Sequence, residues 1–206
     1  MNVKNMNVFL IGGAPGVGKT TLGRALAAKL GSASVSIDDL MMVAQAVTTP
    51  ETHPGLHIMN KMPHVEYFTN SSVDQLQADA NMQHEAAWPF VKSLILKHAT
   101  WDPSPIVIDG WHLRPGKVAE LNLPNIWSGW IVISPSVLVE RERKNLQWFQ
   151  GSSSPERMLE NFQARSLWYN DLIKEEASQL HMNILPQEGD TSIDELCNMI
   201  LKTIDG

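Results

Sequence analysis

One stretch constrains the fold of this chain more than any other. The continuous apolar run Val8-Phe9-Leu10-Ile11 enters Gly12-Gly13, and beyond Lys19 leucines recur at 22, 26 and 30. An unbroken apolar run suits a strand covered on both faces. Leucines four apart suit a helix with one apolar stripe, here closed by Gly31. Between the two, Gly13-Ala14-Pro15-Gly16-Val17-Gly18-Lys19-Thr20 fits G-x-x-x-x-G-K-[ST] at every fixed position. Strand, glycine loop and helix, in that order, are what a phosphate cradle needs. Glycines let successive N–H groups turn inward, and the helix adds the positive end of its dipole. Lys19 is then expected to reach the β- and γ-phosphates of a triphosphate. The Thr20 hydroxyl is expected to bind Mg²⁺, and Thr21 to lie nearer the α-phosphate.

The rest of the chain repeats the alternation. Val35-Ser36-Ile37, ending at Asp38-Asp39, reads as a second strand, and Ile106-Val107-Ile108-Asp109 as a buried third. Trp127 to Ser134 contains a fourth, and Met182 to Leu185 is a short last one. Helices are expected over Val73–Lys97, Val137–Phe149, Pro155 to about Gln179, and Ile193–Ile204; Pro89 should kink or divide the first of these. Pro50, Pro54, Gly55 and Pro63 make Thr48 to Pro63 an exposed loop. Strands separated by helices imply a parallel sheet covered on both faces. The expectation is one α/β domain over residues 1–206, a three-layer sandwich on a five-stranded parallel sheet. Residues from about 40 to 100 would form a helical insert, and about 141 to 157 a mobile lid.

Composition narrows the partners. The chain has 206 residues, room for one domain with an insert. Its 16 basic and 22 acidic residues give a net charge of −6, which repels nucleic acid and anionic membrane at long range. A single cysteine, Cys197, cannot form an internal disulfide or a cysteine-based zinc cluster. No apolar run reaches the roughly 20 residues that span a bilayer. The expected location is cytoplasmic. The expected partners are ATP and a small molecule, and the expected state is a monomer or homodimer.

Phosphoryl transfer needs a base near the accepting hydroxyl, Mg²⁺ support, and cations to offset charge on the transferred group. In a parallel sheet the strand C-termini share one edge with the phosphate loop. Asp38 is the base candidate there, with Asp39 as a helix cap or metal support. Asp109, ending the third strand, is the Mg²⁺ candidate together with Thr20. Trp111, His112 and Arg114 follow it and would hang over the substrate. Arg141, Arg143, Lys144, Arg157 and Arg165 flank the Gly151-Ser152-Ser153-Ser154 break, where cations can close over a triphosphate. Of these, Arg141, Arg157 and Arg165 are singled out with Lys19 and Asp38 for catalysis.

Together these residues resemble the small P-loop kinases, a group of P-loop NTPases that includes nucleotide, shikimate and gluconate kinases. Val35-Ser36-Ile37-Asp38-Asp39-Leu40 is similar to a segment of chloramphenicol phosphotransferase-like and 2-phosphoglycerate kinase-like proteins, with Asp38 as the matching carboxylate. Ile108-Asp109-Gly110-Trp111-His112-Leu113-Arg114-Pro115-Gly116 and Asn161-Phe162-Gln163-Ala164-Arg165 resemble the latter group, where a glutamate commonly stands in place of Asp109. The resemblance implies that Asp38 faces the acceptor, the insert covers it, and an arginine-bearing lid closes over ATP. One departure matters. No arginine lies between Arg24 and Arg114, the interval in which nucleotide monophosphate kinases hold the acceptor phosphate. The insert offers Lys61, Lys92, Lys97 and five histidines instead, which fits a neutral hydroxyl acceptor better, with Trp88, Trp101 and Trp111 as an aromatic wall. The expected activity is an ATP- and Mg²⁺-dependent kinase acting on a small-molecule hydroxyl. The alternatives are a nucleotide switch or slow NTPase acting through a partner, and a nucleotide-sugar kinase of the zeta-toxin type.

Overall fold

A computed structural model describes residues 6–60, 62–101 and 104–205, so Lys61 lies outside the described residues. Five strands form one parallel sheet: β1 (Val8–Gly13), β2 (Ala33–Ser36), β3 (Ile106–Asp109), β4 (Ile126–Ile133) and β5 (Asn183–Gln187). Their order is β2-β3-β1-β4-β5. β1 and β3 are buried along their whole length, which is why their sequences are apolar without alternation. Each of these large apolar side chains contributes roughly 1.5–3 kcal/mol by leaving water.

Helices cover both faces: α1 (Lys19–Leu30), α2 (Ile37–Val47), α3 (His64–Asn70), α4 (Val73–Thr100), α5 (Pro115–Ala119), α6 (Pro135–Lys144), α7 (Pro155–Gln179) and α8 (Ile193–Asp205). Register sets the site. Asp109 pairs with Ile11 of β1 on one side and Ser36 of β2 on the other. The third strand's carboxylate therefore stands between the start of the phosphate loop and the start of α2.

Several sequence expectations are corrected. The second strand ends at Ser36, and α2 begins at Ile37. Ser36 holds the cap position, so Asp39 is not the helix cap; Asp38 and Asp39 both lie in the first turn, where the helix dipole favours carboxylates. Pro89 does not divide its helix: α4 runs unbroken for 28 residues. Pro89 is exposed, so water can satisfy the freed carbonyl, while Ala87, Val91 and Ile95 on the opposite face stay buried and hold the axis. The helix expected at Val137–Phe149 ends at Lys144 and gives way to a 3-10 turn over Leu146–Phe149. α3 and α5 were not legible in the pattern. Each is too short to show a helical period.

The regions expected as insert and lid share a small hydrophobic core of their own. Tyr67, Phe68 and Leu76 from the insert pack with Phe149 and Met158. Polar groups tie the same parts together. The Ser153 N–H and hydroxyl both donate to Glu66, each at 3.1 Å. Thr69 and Ser152 hydroxyls lie 2.7 Å apart. The Asn161 amide donates to the carbonyls of Phe68 and Ser71. Phe149 of this second cluster, and Phe162 packed against it, line the same cavity as the phosphate loop.

Candidate active site

The phosphate loop leaves β1 and turns into α1 through Gly18, whose φ of 100° lies in the left-handed region that only glycine adopts freely. The Lys19 ammonium folds back and donates to the Ala14 carbonyl at 2.8 Å. Lys19 is 7% exposed, and burial lowers its pKa to about 8 against the pull of Asp38 and Asp109. The loop thus stores a desolvated cation beside two carboxylates.

Asp109 is 1% exposed, and no hydrogen bond of normal geometry reaches either of its oxygens. Burial pushes its carboxyl up, opposed by the adjacent Thr20 hydroxyl and by Lys19. An orphaned buried carboxylate beside a hydroxyl at the phosphate loop is a donor set that suits a hard divalent cation such as Mg²⁺. Asp38 is 56% exposed at its side chain, yet the loops crowd it. Desolvation raises its pKa, Lys19 lowers it, and Asp39 adds to the rise.

A cavity of about 360 Å³ lies over the loop, walled by Gly16, Gly18, Lys19, Thr20, Thr21 and Asp38 on one side. Arg141, Glu142, Asn145, Trp148, Phe149 and Phe162 close the other. Such a volume falls within the range of small-ligand sites. Arg141 donates to the Val17 carbonyl at 3.2 Å, so this arginine does reach the loop. Arg143 and Arg157 are exposed on their helices.

Arg165 is drawn elsewhere. It is 4% exposed, and its guanidinium stands 4.6 Å from the Phe68 ring centroid and 5.1 Å from those of Trp111 and Phe162. Burial lowers its pKa to about 10, against Tyr67 and Glu142. A cation from α7 therefore enters the compartment that the sequence left without an arginine.

His112 is 4% exposed, and burial together with Lys19 lowers its pKa to about 3. Its Nδ1 stands 3.9 Å from an Asp38 oxygen. Arg114 is already engaged: it donates to Asn81 at 2.8 Å and is paired with Glu176, which also accepts from the Gly116 N–H. It locks the loop after β3 onto α4 and α7. Trp111 packs at the site against His84 and Tyr169. The other two tryptophans of the expected wall do not join it: Trp88 packs on the main core, and Trp101 is 84% exposed at the end of α4.

Two site residues escaped the sequence, and a third was legible only as one of five histidines of the insert. Trp148 lines the cavity from a 3-10 turn and is 58% exposed. Glu142 is 4% exposed, and burial lifts its carboxyl to about 7 against the pull of the Ser166 hydroxyl and Arg165. His84 on α4 meets Trp111 and His112. None sits in a motif. The even spacing of α4 does not mark which of its histidines points inward.

Fold and phosphate loop together define a small P-loop kinase-like protein. No protein-family model matches the chain. Over 112 residues, 54% of its length, it is 30% identical to a 2-phosphoglycerate kinase of Pyrococcus horikoshii. The chain spans 37% of that relative, about a third of its length. Among solved structures it resembles a shikimate kinase from Bacteroides thetaiotaomicron with a TM-score of 0.60 at 17% identity, covering 98% of this chain and 99% of that one. A gluconokinase from Sinorhizobium meliloti gives 0.56 at 17% identity, covering 97% and 92%. At these identities the likeness is one of fold. Among the described residues no helix is long and apolar enough to cross a membrane.

Proposed function

We propose that this protein is an ATP- and Mg²⁺-dependent kinase that phosphorylates a hydroxyl of a small molecule. The observation that carries the reading is the convergence of Lys19, Asp38 and Asp109 at one sheet edge, with both carboxylates acting on the buried ammonium. Lys19 and the loop amides hold the triphosphate. Thr20 and Asp109 would hold Mg²⁺, which when bound neutralises charge on the phosphate oxygens.

Asp38 accepts a hydrogen bond from the acceptor hydroxyl and orients its oxygen toward the γ-phosphorus. As the new P–O bond forms and the bond to the β-phosphate oxygen breaks, the hydroxyl proton passes to Asp38. ADP and the phosphorylated acceptor leave. Arg141 lies where it can meet the triphosphate, and Trp148 and Phe149 offer apolar surface for the base. The 2-phosphoglycerate kinase, shikimate kinase and gluconokinase likenesses support a small-molecule acceptor. Arg165 adds a cation on the acceptor side, which widens the candidates from neutral alcohols to hydroxy acids.

The test is incubation with ATP, Mg²⁺ and pools of hydroxylated metabolites. Acceptor-dependent ADP release is expected. ADP release that no acceptor alters would favour a nucleotide switch.

A further inference from the structure

His84 lies near the middle of α4, facing the loop after β3. Its ring centroid is 4.4 Å from that of Trp111, 5.0 Å from that of His112 and 5.1 Å from that of Tyr169. His84 and His112 are each 4% exposed. No described residue hydrogen-bonds any of their four ring nitrogens. Two neighbouring groups are satisfied: the Tyr169 hydroxyl donates to the Trp111 carbonyl, and Arg114 is held by Asn81 and Glu176. Native interiors pair nearly all such groups, and exceptions ask for a reason. Burial keeps both imidazoles neutral, joined at His84 by His112, Arg114, Arg165 and Lys19 and at His112 by Lys19.

A neutral imidazole has one donor nitrogen and one acceptor nitrogen, so the two rings offer two of each. Oxygens of a carboxylate or an ionised phosphate only accept, and would leave the acceptor nitrogens unpaired. A hydroxyl does both. The 3.9 Å between His112 Nδ1 and the Asp38 oxygen is too long for a hydrogen bond, but one ligand oxygen can bridge the two. We propose that His84 and His112 form the recognition wall of the acceptor site, and that the acceptor is polyhydroxylated, presenting at least one hydroxyl beside the one Asp38 takes. His84 is then a specificity-determining residue. The proposal rests on the kinase reading of the site.

Two measurements test it. The first needs no acceptor. Removing an unpartnered buried imidazole should stabilise the protein, so His84→Leu should raise Tm by about 3–6 °C, beyond the roughly 1–2 °C from leucine's helix propensity. A lower Tm, or failure to fold, makes His84 an ordinary packing residue and overturns the proposal. The second compares ADP release with glycerol, erythritol, ribitol and gluconate against propan-1-ol and 3-hydroxypropionate, which carry one hydroxyl each. Turnover should be confined to the polyhydroxylated probes. His84→Leu should raise KM for an active probe about tenfold or more, with kcat within about threefold and the ATP Kd unchanged. His84→Gln, which keeps a donor and an acceptor, should lie between Leu and wild type. Equal turnover of single-hydroxyl probes, or an unchanged KM in His84→Leu, overturns the proposal. Wild-type protein that turns over no probe counts against the kinase reading instead, and the melting arm then decides the claim about His84.

Discussion

Lys19→Met separates the cost of the buried cation from its use. In the free protein the ammonium is held at 7% exposure, and its pKa falls from 10.5 to about 8. The charged form is disfavoured in the folded state, so below about pH 8 the fold carries a penalty. A drop of this size corresponds to about 3 kcal/mol as an upper figure. Because the folded pKa is depressed, the unfolded chain binds more protons between about 8 and 10.5, and stability rises with pH through that window. By about pH 9.5 roughly 2 kcal/mol is recovered, which for a chain of this size is about 4–8 °C in Tm. Lys19→Met lacks the group and lacks the rise. It should melt above wild type at pH 7, less the roughly 1 kcal/mol of the lost hydrogen bond to Ala14, and the gap should close toward pH 9.5. ATP binding should move the other way. Losing one or two charge-assisted contacts of about 1.5–3 kcal/mol each should weaken ATP by at least tenfold, and by about a hundredfold or more if both are made. Differential scanning fluorimetry across pH and calorimetric titration with ATP read both effects. Parallel pH–Tm curves for the two proteins, or equal ATP affinity, would refute the reasoning.

Other perturbations probe other parts. Asp109→Asn should remove the Mg²⁺ dependence of nucleotide affinity while leaving the apo fold as stable or more so, since its carboxylate is buried and unpartnered; titrations with and without Mg²⁺ check it. Glu142 has a raised pKa, near 7, so its penalty builds as pH climbs from about 4.5 and is complete above 7. Glu142→Gln should therefore melt with wild type at pH 4.5 and above it at pH 8; a gap that does not change with pH would contradict the assignment. Glu66→Ala removes both acceptors of Ser153, so amide exchange at 150–154 should quicken, and the mutual effect of ATP and acceptor on each other's affinity should shrink.

The sheet edge was legible because its chemistry is local. A loop pattern between an apolar run and a periodic helix identifies Lys19 and Thr20 without any tertiary information. A carboxylate closing the apolar run of β3 places Asp109 at that edge almost as well, whereas Asp38, read at the end of β2, lies in the first turn of α2. What failed depends on distant packing. Whether Asp39 caps α2 turned on where β2 ends, a boundary set by pairing with β3. Arg165 reads as one of several cations near a flexible break, yet the small core under Phe68 draws it to the insert. His84 is one of seven histidines in the chain, and only the crossing of α4 over the loop after β3 sets it apart.

The most direct measurement follows labelled γ-phosphate from ATP to an acceptor in wild type and in Asp38→Asn. Wild type should yield a labelled phosphomonoester. The variant should bind ATP with unchanged Kd and lose transfer by about a hundredfold or more. Label that appears only as inorganic phosphate in wild type, or transfer that survives in Asp38→Asn, would contradict a kinase built on this edge.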